Sequence, residues 1–449
     1  MLASSALVLL MTPGLAFFYG GMVRSKSVLN MIMMSVSAMG LVGLLWVLYG
    51  YSEAFGNDVG LGLLGNPAEF AGLNGLFGGT YVASEGSQVS TPLVGTIPAT
   101  VFVAFQAMFA IITVALISGA VADRMRFAPW LLFAALWATV VYFPVAHWVF
   151  SFDEVTAPVG GWIANDLAAI DFAGGTAVHI NAGAAALALC LVLGRRRGWP
   201  REAMRPHNLP FVMLGAGLLW FGWFGFNAGS AVGANGIAGF AFVNTLAATC
   251  AAMLGWLLVE RVRDGRPTSL GAASGVVAGL VAITPSCSSV SPVGAIAVGA
   301  IAGALCALAV SIKFRLGFDD SLDVVAVHLV GGLVGTLAIG FLATSAAPAG
   351  VNGLFYGGGI DQLWRQAVAS GAVMIYSFVG ASIIALVLKY TIGLRVDNEA
   401  ELTGIDETEH AEAGYELSAI PTGSGDGRAA HAASPSKIPA SAGQEGEWR

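Results

Sequence analysis

The chain of 449 residues is 56% hydrophobic and only 10% charged, and its formal net charge is −7. Soluble globular proteins carry about 25% charged residues, so this composition excludes a soluble globular domain and is typical of a protein that crosses a bilayer many times. The four cysteines, Cys190, Cys250, Cys287 and Cys306, form no CxxC pair and indicate small apolar side chains rather than a metal site.

Eleven apolar stretches follow one another along the chain. They comprise residues 2–23, 28–52, 98–121, 128–147, 173–194, 209–230, 237–260, 268–286, 292–312, 323–343 and 363–394. Each reaches or nears the length of about 20 residues that a helix needs to cross about 30 Å of hydrocarbon. We therefore expect an all-α membrane protein with eleven transmembrane helices.

Basic residues lie almost entirely in alternate loops. Of the 17 Lys and Arg residues that precede the tail, 16 fall on one side of the eleven spans and only Arg365 falls on the other. By the positive-inside rule, the N-terminus lies outside and the C-terminal tail is cytoplasmic.

The composition changes after the last span. Residues 397–416 hold eight acidic residues and no basic one, and residues 419–449 are rich in Gly, Ser, Ala and Pro. We expect an eleven-helix membrane domain over residues 1–395, a cytoplasmic regulatory tail over 396–418 and a disordered segment over 419–449.

One polar pattern occurs twice within the apolar stretches. Asp171 precedes His179 by eight residues, and Asp320 precedes His328 by eight residues. The two patterns fall on the fifth and tenth spans, so spans 1–5 and 6–10 form two five-helix repeats of inverted topology and the eleventh span stands outside them. Polar residues at matching positions of inverted repeats are typical of transporters and channels.

The histidines admit three readings from the residues alone. They are separate core histidines satisfied by backbone carbonyls, ligands of a metal or haem, or neutral imidazoles that line a pore. The ligand reading lacks Cys, Asp or Glu neighbours at ligand spacing. A neutral imidazole both donates and accepts a hydrogen bond, which suits a small hydrogen-bonding solute or a proton relay. From the helical rise over the eight residues that precede each histidine, we expect His179 and His328 to approach the midplane of the bilayer from its opposite faces.

The acidic residues lie at the ends of spans and not in their middles. A cation pore with an acidic ring would need deeper carboxylates. Asp171 is placed to cap the fifth span, and it can also stabilise a cation that waits outside the barrier. These two roles of Asp171 are compatible.

Aromatic residues are dense in the third and sixth spans. Most such rings serve packing, but a cation recruited without carboxylates would need π faces and hydroxyls. Phe109, Phe226 and Ser230 can supply them. Stacked rings also make a dry constriction.

The sequence Asp-Phe-Ala-Gly-Gly-Thr-x-Val-His at residues 171–179 resembles the signature of the ammonium transporter family, which includes methylammonium permeases and Rhesus glycoproteins. The resemblance runs in order along residues 1–418 and is closer to the bacterial ammonium transporter branch. Further matching segments are Pro-Gly-Leu-Ala-Phe-Phe-Tyr-Gly-Gly at 13–21, Arg-Pro-His-Asn-Leu-Pro at 205–210, Gly-Trp-Phe-Gly-Phe-Asn-Ala-Gly-Ser at 222–230, Asp-Val-Val-Ala-Val-His at 323–328 and Gly-Leu-Arg-Val at 393–396.

The resemblance implies uptake of ammonium or ammonia, and of methylammonium, by a homotrimer in the cell membrane with one pore in each subunit. It implies no enzymatic activity, no cofactor, no metal and no nucleic-acid partner. Ammonium would be recruited and deprotonated on the outer side, and ammonia would pass along the pore histidines. The implied pore residues are His179 and His328, and the implied gate is Phe109 with Phe226.

The implied outer ammonium site consists of Ser230, Phe105, Phe150 and Asp171. This chain departs from the family at one of these positions, because Phe150 stands where the family has a tryptophan. Trp148 lies two residues earlier, but the unshifted match places it elsewhere. Without the indole N–H and its larger π face, we expect weaker recruitment of the cation.

The tail segment 404–415 resembles the part of the family that binds PII-type signalling proteins on the cytoplasmic face. The family usually has Gly where this chain has Ala411, so the geometry of the tail can differ. Three rival functions remain: an ammonium sensor or transceptor that signals through the tail, a channel for another small neutral molecule such as carbon dioxide, and an intramembrane metal or haem enzyme.

Overall fold

Apolar helices make up most of the described residues of the computed structural model, which describes residues 1–77 and 91–415. Within those residues, ten helices are long and apolar enough to span a membrane. They are α1 (Leu2–Met22), α2 (Ser25–Phe55), α3 (Ala99–Val121), α4 (Phe127–Phe150), α5 (Gly175–Leu193), α6 (Leu209–Gly229), α7 (Gly236–Arg263), α9 (Pro292–Leu316), α10 (Val325–Leu342) and α11 (Asp361–Thr391).

The remaining predicted span, over 268–286, is a shorter apolar helix, α8 (Ser269–Ile283). Pro285 follows its last turn, and a proline cannot continue the helical hydrogen-bond ladder. A helix of 15 residues is about 23 Å long, which is less than the thickness of the hydrocarbon core. Among the described residues, ten of the eleven predicted spans are therefore long enough to be candidate membrane helices, and the eighth is a shorter apolar helix.

Short elements connect and follow these helices. A two-stranded antiparallel ribbon, β1 (Leu93–Val94) and β2 (Ile97–Pro98), directly precedes α3. Two small helices, α12 (Asn398–Thr403) and α13 (Ile405–His410), make up the described part of the predicted tail. The predicted disordered segment 419–449 lies outside the described residues.

In the described part of the chain, four helices contain a stretch of π-helix: α2 at Trp46–Gly50, α4 at Ala138–Tyr142, α5 at Gly175–Ile180 and α10 at Val325–Leu329. Single π-turns inside α-helices are frequent at functional sites. His179 and His328 lie on the π-stretches of α5 and α10. The π-stretches cannot be predicted from the residue order, because π-turns have no simple residue signature.

The helices approach one another closely where small residues face each other. A Cβ atom on Gly215 of α6 would lie 2.3 Å from the backbone nitrogen of Phe18 in α1. Only glycine allows this contact, as is common where helices pack in lipid.

A buried ion-pair cluster joins the basic loops at one end of the bundle. Arg196 is 6% exposed and lies 2.8 Å from Asp319 and 3.2 Å from Asp123, and Arg24 approaches Asp123 at 3.5 Å. Burial opposes ionisation of Asp319, but the hydrogen bonds from Arg196 outweigh it, and the pKa of the Asp319 carboxyl lies below its ordinary value. The cluster holds together the loops that lead into α4, out of α5 and into α10.

The described tail packs against the same end of the bundle. The Asp406 carboxylate accepts hydrogen bonds from the backbone nitrogens of Leu29 and Asn30 at 3.0 and 2.8 Å, at the start of α2. Glu401 accepts one from the backbone nitrogen of Arg197 at 2.6 Å. Ala411, the predicted departure from the family, has φ +54, a left-handed conformation that costs a non-glycine residue about 1 kcal/mol.

Candidate functional site

Three separate cavities follow one another through the bundle. The first, which we call the vestibule, has a volume of about 650 Å³ and is lined at its floor by Phe109. The second, the central cavity, measures about 10 Å³ and lies beside Phe226, His179 and His328. The third, the basic-end cavity, measures about 130 Å³ and is again lined by His328. The cavities therefore describe a path that is widest at its mouths and narrowest at the histidines.

Two phenylalanines separate the vestibule from the central cavity. Phe109 of α3 and Phe226 of α6 stack with ring centroids 4.1 Å apart and planes inclined by 25°. Both are at most 1% exposed. The rings meet as the predicted gate requires, and they leave no hydrogen-bonding group for a hydrated ion at this point.

The two histidines meet directly beyond the stacked rings. The Nδ1 atoms of His179 and His328 lie 3.2 Å apart, and the ring centroids are 5.3 Å apart. When both rings are neutral, one Nδ1–H donates to the other Nδ1. The pair then offers one Nε2 acceptor and one Nε2–H donor. Among the described residues, none hydrogen-bonds Nε2 of His179.

The central cavity is otherwise apolar. Its lining includes Met11, Leu15, Ile112, Leu116, Val178, Leu219 and Val277. A volume of about 10 Å³ is close to the minimum for a single water-sized molecule. The space therefore suits a small neutral solute that hydrogen-bonds the imidazoles, and it disfavours an ion, which would lose its hydration shell.

Trp223 supports the histidine pair and was not singled out from the sequence. Its ring stacks on His179 at 5.4 Å, and its Nε1 donates to Thr284 Oγ1 at 2.8 Å. Trp223 precedes Phe226 by three residues on α6, so helical spacing was a signal that could have found it.

The four residues of the predicted outer ammonium site all line the vestibule: Phe105, Phe150, Asp171 and Ser230. Phe105 contacts Phe109 edge-to-face at 4.8 Å, and Phe150 approaches Phe109 in the same manner at 6.4 Å. The hydroxyl of Ser230 donates to the backbone oxygen of Phe226 at 2.9 Å, so its lone pairs can accept a hydrogen bond from a cation. Gln106 also lines the vestibule and was not predicted.

Trp148 does not replace the missing tryptophan. Its Nε1 donates to the backbone oxygen of Leu63 at 2.8 Å, and its ring packs against Trp162 and Tyr376 at 5.9 and 4.7 Å. It is absent from the vestibule lining, whereas Phe150 is part of it. The unshifted match of the sequence analysis therefore agrees with the geometry.

Asp171 caps the helix that carries His179. Its Oδ1 accepts from the nitrogens of Gly174 and Gly175 at 2.8 and 2.6 Å, and its Oδ2 accepts from those of Thr176 and Ala177 at 2.8 and 3.1 Å and from the Thr176 hydroxyl. The predicted cap is confirmed in geometry. Because these five donors surround the carboxylate, Asp171 can act on a cation in the vestibule through its charge and not through a free oxygen.

Two glycines make this cap possible. Gly174 has φ +123, which favours glycine. A Cβ on Gly175 would lie 2.5 Å from Pro285 and 2.7 Å from Thr336 Oγ1. The glycine pair thus lets the start of α5 pass close to the end of α8 and to α10.

Asp320 and Asp323, at the start of α10, make contacts of different kinds. Oδ2 of Asp320 accepts from the backbone nitrogen of Val325 at 2.7 Å, and Asp323 pairs with Lys313 at 2.6 Å. Asp323 lines the basic-end cavity, whereas Asp320 does not. Within the described residues, no group of His, Cys, Asp and Glu side chains is arranged to hold a metal ion.

A many-helix bundle with a hydrophobic, histidine-lined path defines a polytopic channel or transporter. The sequence model of the Ammonium Transporter Family matches residues 1–415, and the chain belongs to this family. It is a multi-pass plasma-membrane protein that transports ammonium, and members of the family are transporters and not enzymes.

Relatives and solved structures agree with this assignment. The ammonium transporter of Mycobacterium tuberculosis (strain H37Rv) is 71% identical, over 94% of this chain and 91% of the relative. That of Corynebacterium glutamicum is 46% identical, over 93% and 88%. Crystalline Mep2 of Saccharomyces cerevisiae superposes with a TM-score of 0.77 at 32% identity, over 88% and 86%. A structure described as a sensor Amt protein gives 0.81 at 29% identity, over 91% and 96%.

Proposed function

We propose that ammonium is taken up through a pore in which His179 and His328 conduct ammonia, after the cation has been recruited and deprotonated in the vestibule. The contact between the two imidazoles at 3.2 Å, directly behind the stacked phenylalanines, carries this proposal. A bare cation in this narrow, apolar segment would be destabilised by several kcal/mol, whereas neutral ammonia is not.

Recruitment relies on π faces, one hydroxyl and one charge. Phe105 and Phe150 present rings to the cation, Ser230 accepts a hydrogen bond from it, and the Asp171 carboxylate stabilises it at a distance. A cation over an aromatic face gains about 0.5–2 kcal/mol. Ammonium gives its proton to water in the vestibule before the solute passes Phe109 and Phe226, because the stacked rings offer the charged form no hydrogen-bond acceptor.

The architecture supports two inverted five-helix repeats followed by α11. α5 and α10 each begin after an aspartate that accepts backbone hydrogen bonds, and each carries its histidine on a π-stretch. If α8 is counted as a membrane helix, the odd number of spans puts the two termini on opposite sides, and the basic loops favour an outside N-terminus and a cytoplasmic tail. The vestibule then faces outwards. The functional unit is a homotrimer with one pore in each subunit.

Residues 396–418 act as a cytoplasmic regulatory tail in this proposal. The hydrogen bonds of Asp406 to α2 and of Glu401 to the loop after α5 connect the tail to the transport domain. A PII-type signalling protein that engages this face would reach both. A sensor function has less support, because the curated relatives are named ammonium transporters. Carbon dioxide as a second solute is tested by its competition with methylammonium uptake.

The test is uptake of labelled methylammonium into proteoliposomes with simultaneous recording of current. We expect His179→Ala to lower selective uptake at least tenfold, because the solute loses its hydrogen-bonding partner in the central cavity. Recording current separates movement of net charge from passage of ammonia alone. Phe221→Ala, an exposed position on α6, serves as the control. Full and selective uptake by His179→Ala would overturn the proposed role of the histidine pair.

A further inference from the structure

The side chain of Gln366 hydrogen-bonds the backbone of the vestibule wall. Gln366 lies on α11 and is completely buried. Its Oε1 accepts from the backbone nitrogen of Ile170 at 2.7 Å, and its Nε2 donates to the backbone oxygen of Ile170 at 2.6 Å. One carboxamide thus satisfies both backbone groups of a single residue. The Nε2 group also approaches the Thr336 oxygen of α10 at 3.3 Å.

Ile170 occupies a sensitive place. It precedes Asp171, and residues 168–172 all line the vestibule. This segment belongs to no helix or strand, so it has no ladder of its own to pair its backbone. A buried backbone group without a partner is costly, and a loop residue therefore takes the position in which its partner lies. Gln366 supplies that partner.

α11, the helix that carries Gln366, does not itself line the path. Of the residues 361–391 of α11, none lines the vestibule, the central cavity or the basic-end cavity. Its first turns instead hold the segment before α5: Arg365 donates to the backbone oxygen of Leu167 at 3.0 Å, and Gln362 donates to Oε1 of Gln366 at 3.0 Å. Gln362 thereby orients the carboxamide of Gln366.

We propose that Gln366 is a positioning residue of the outer ammonium site. It places the wall formed by residues 168–172 relative to the rings and the hydroxyl on the opposite side, and it places Asp171 at the start of the helix that carries His179. The proposal rests on the proposed function, since it requires that the vestibule bind the cation. It predicts that α11, a helix outside the two proposed repeats, affects recruitment of the cation and discrimination by solute size.

The competing explanation is that Gln366 merely attaches α11 to the bundle. The two explanations differ in what they change. Loss of an attachment lowers the amount of folded protein and leaves the affinity of the folded fraction unchanged. Loss of a positioning contact shifts the wall, which alters the affinity and the preference between ammonium and the larger methylammonium.

The experiment compares Gln366→Met with wild type in proteoliposomes. Labelled methylammonium uptake gives the half-saturating concentration, and inhibition by ammonium gives the second affinity. We expect the half-saturating concentration to rise about three- to tenfold, as small misplacement of a binding group does. The ratio of the two affinities should change as well, while maximal uptake for each folded molecule stays within about twofold.

Three further variants make the result decisive. Gln362→Met keeps both bonds to Ile170 but loses the orienting contact, and it should give a smaller shift in the same direction, which also covers failure of Gln366→Met to fold. Lys389→Met removes a bond from the far end of α11 to the Val192 oxygen of α5, at 2.8 Å, and should leave both affinities unchanged. Ser230→Ala tests the outer site itself.

The outcomes separate the two proposals. Unchanged affinities in Gln366→Met and Gln362→Met, with a clear shift in Ser230→Ala, overturn the positioning role and leave the outer site intact. An equal shift in Lys389→Met also overturns it, because any loosening of α11 would then suffice. Unchanged affinity in Ser230→Ala, by contrast, contradicts the proposed outer site.

Discussion

The starts of α5 and α10 carry the same spacing of aspartate and histidine and hold it by different means. At α5, Asp171 accepts five hydrogen bonds from the first turn of the helix, and no basic residue takes part. At α10, Asp320 accepts one bond from Val325, and the surrounding contacts are ionic, with Lys313 paired to Asp323.

The difference follows from what each helix start faces. The start of α5 borders the vestibule, where a basic residue would repel an arriving cation. The start of α10 faces the basic loops, where the buried ion-pair cluster of Arg196 and Asp319 supplies strong anchors. The two histidines therefore occupy matching positions, whereas the residues that hold the starts of α5 and α10 differ. Substitutions at the two helix starts should therefore have unequal effects.

The largest expected effect is on stability at the basic-loop end. Arg196→Met leaves Asp319 and Asp123 buried without their shared partner, which should lower the free energy of unfolding by about 3–5 kcal/mol. Thermal unfolding of detergent-solubilised protein measures it. Arg315→Met, at an exposed position near the end of α9, is the control. A loss below about 1 kcal/mol, typical of a surface ion pair, would contradict the buried role.

The stability that Asp319 contributes depends on pH in a defined way. Because the folded-state pKa of Asp319 is lowered, the stability it contributes is present above the ordinary carboxyl pKa of about 4 and is lost as the pH falls through the lowered value. The contribution of Asp319 to wild-type stability should therefore be constant from pH 6 to pH 8 and be lost only in acid below the ordinary carboxyl pKa of about 4. Loss of wild-type stability already near pH 6 would point to a different group.

The second effect distinguishes the two aspartates by transport. Asp171→Asn keeps the shape but directs an amide at backbone donors, so we expect methylammonium uptake to fall at least tenfold, since hydrogen bonds to charged groups contribute about 1.5–3 kcal/mol each. Asp320→Asn can still accept from Val325, and its uptake should stay within about twofold of wild type. Equal losses in both variants would refute the asymmetry of the two ends.

Stability offers an independent check on Asp320. Burial raises the pKa of Asp320 to about 6, although Lys313 acts against the shift. A raised carboxyl pKa means that the favourable contribution is present at low pH and is lost as the pH rises through about 6. Asp320→Asn should therefore have the same unfolding temperature as wild type at pH 5. At pH 8 its unfolding temperature should equal or exceed that of wild type.

The smallest effect concerns the vestibule aromatic that departs from the family. Phe150→Trp adds π surface and an indole N–H to the vestibule, so the half-saturating concentration of methylammonium should fall about two- to fivefold, in line with an exposed cation–π contact. Trp148→Phe is the control, because Trp148 does not line the vestibule. Unchanged affinity in Phe150→Trp would show that Phe150 does not limit recruitment.

Several particulars could be predicted from residue order alone. The apolar stretches are local, so their positions follow from composition, and the repeated Asp and His spacing was visible on the fifth and tenth spans. The aromatic positions of the gate and the departure at Phe150 followed from the resemblance. The shortness of α8 was missed because hydropathy continues through Pro285 although the helical hydrogen bonds cannot.

By itself, the sequence determined that the chain is a multi-span membrane protein of the ammonium transporter family, because these are properties of local hydropathy and of short contiguous motifs. Only the tertiary structure decided that His179 and His328 touch, that Trp223 supports them and that Gln366 clamps Ile170. These contacts join residues far apart in the chain, and Gln366 stands in no motif. Helix packing sets such contacts, and small-residue patterns mark a packing face without stating which residues of the partner helix meet it.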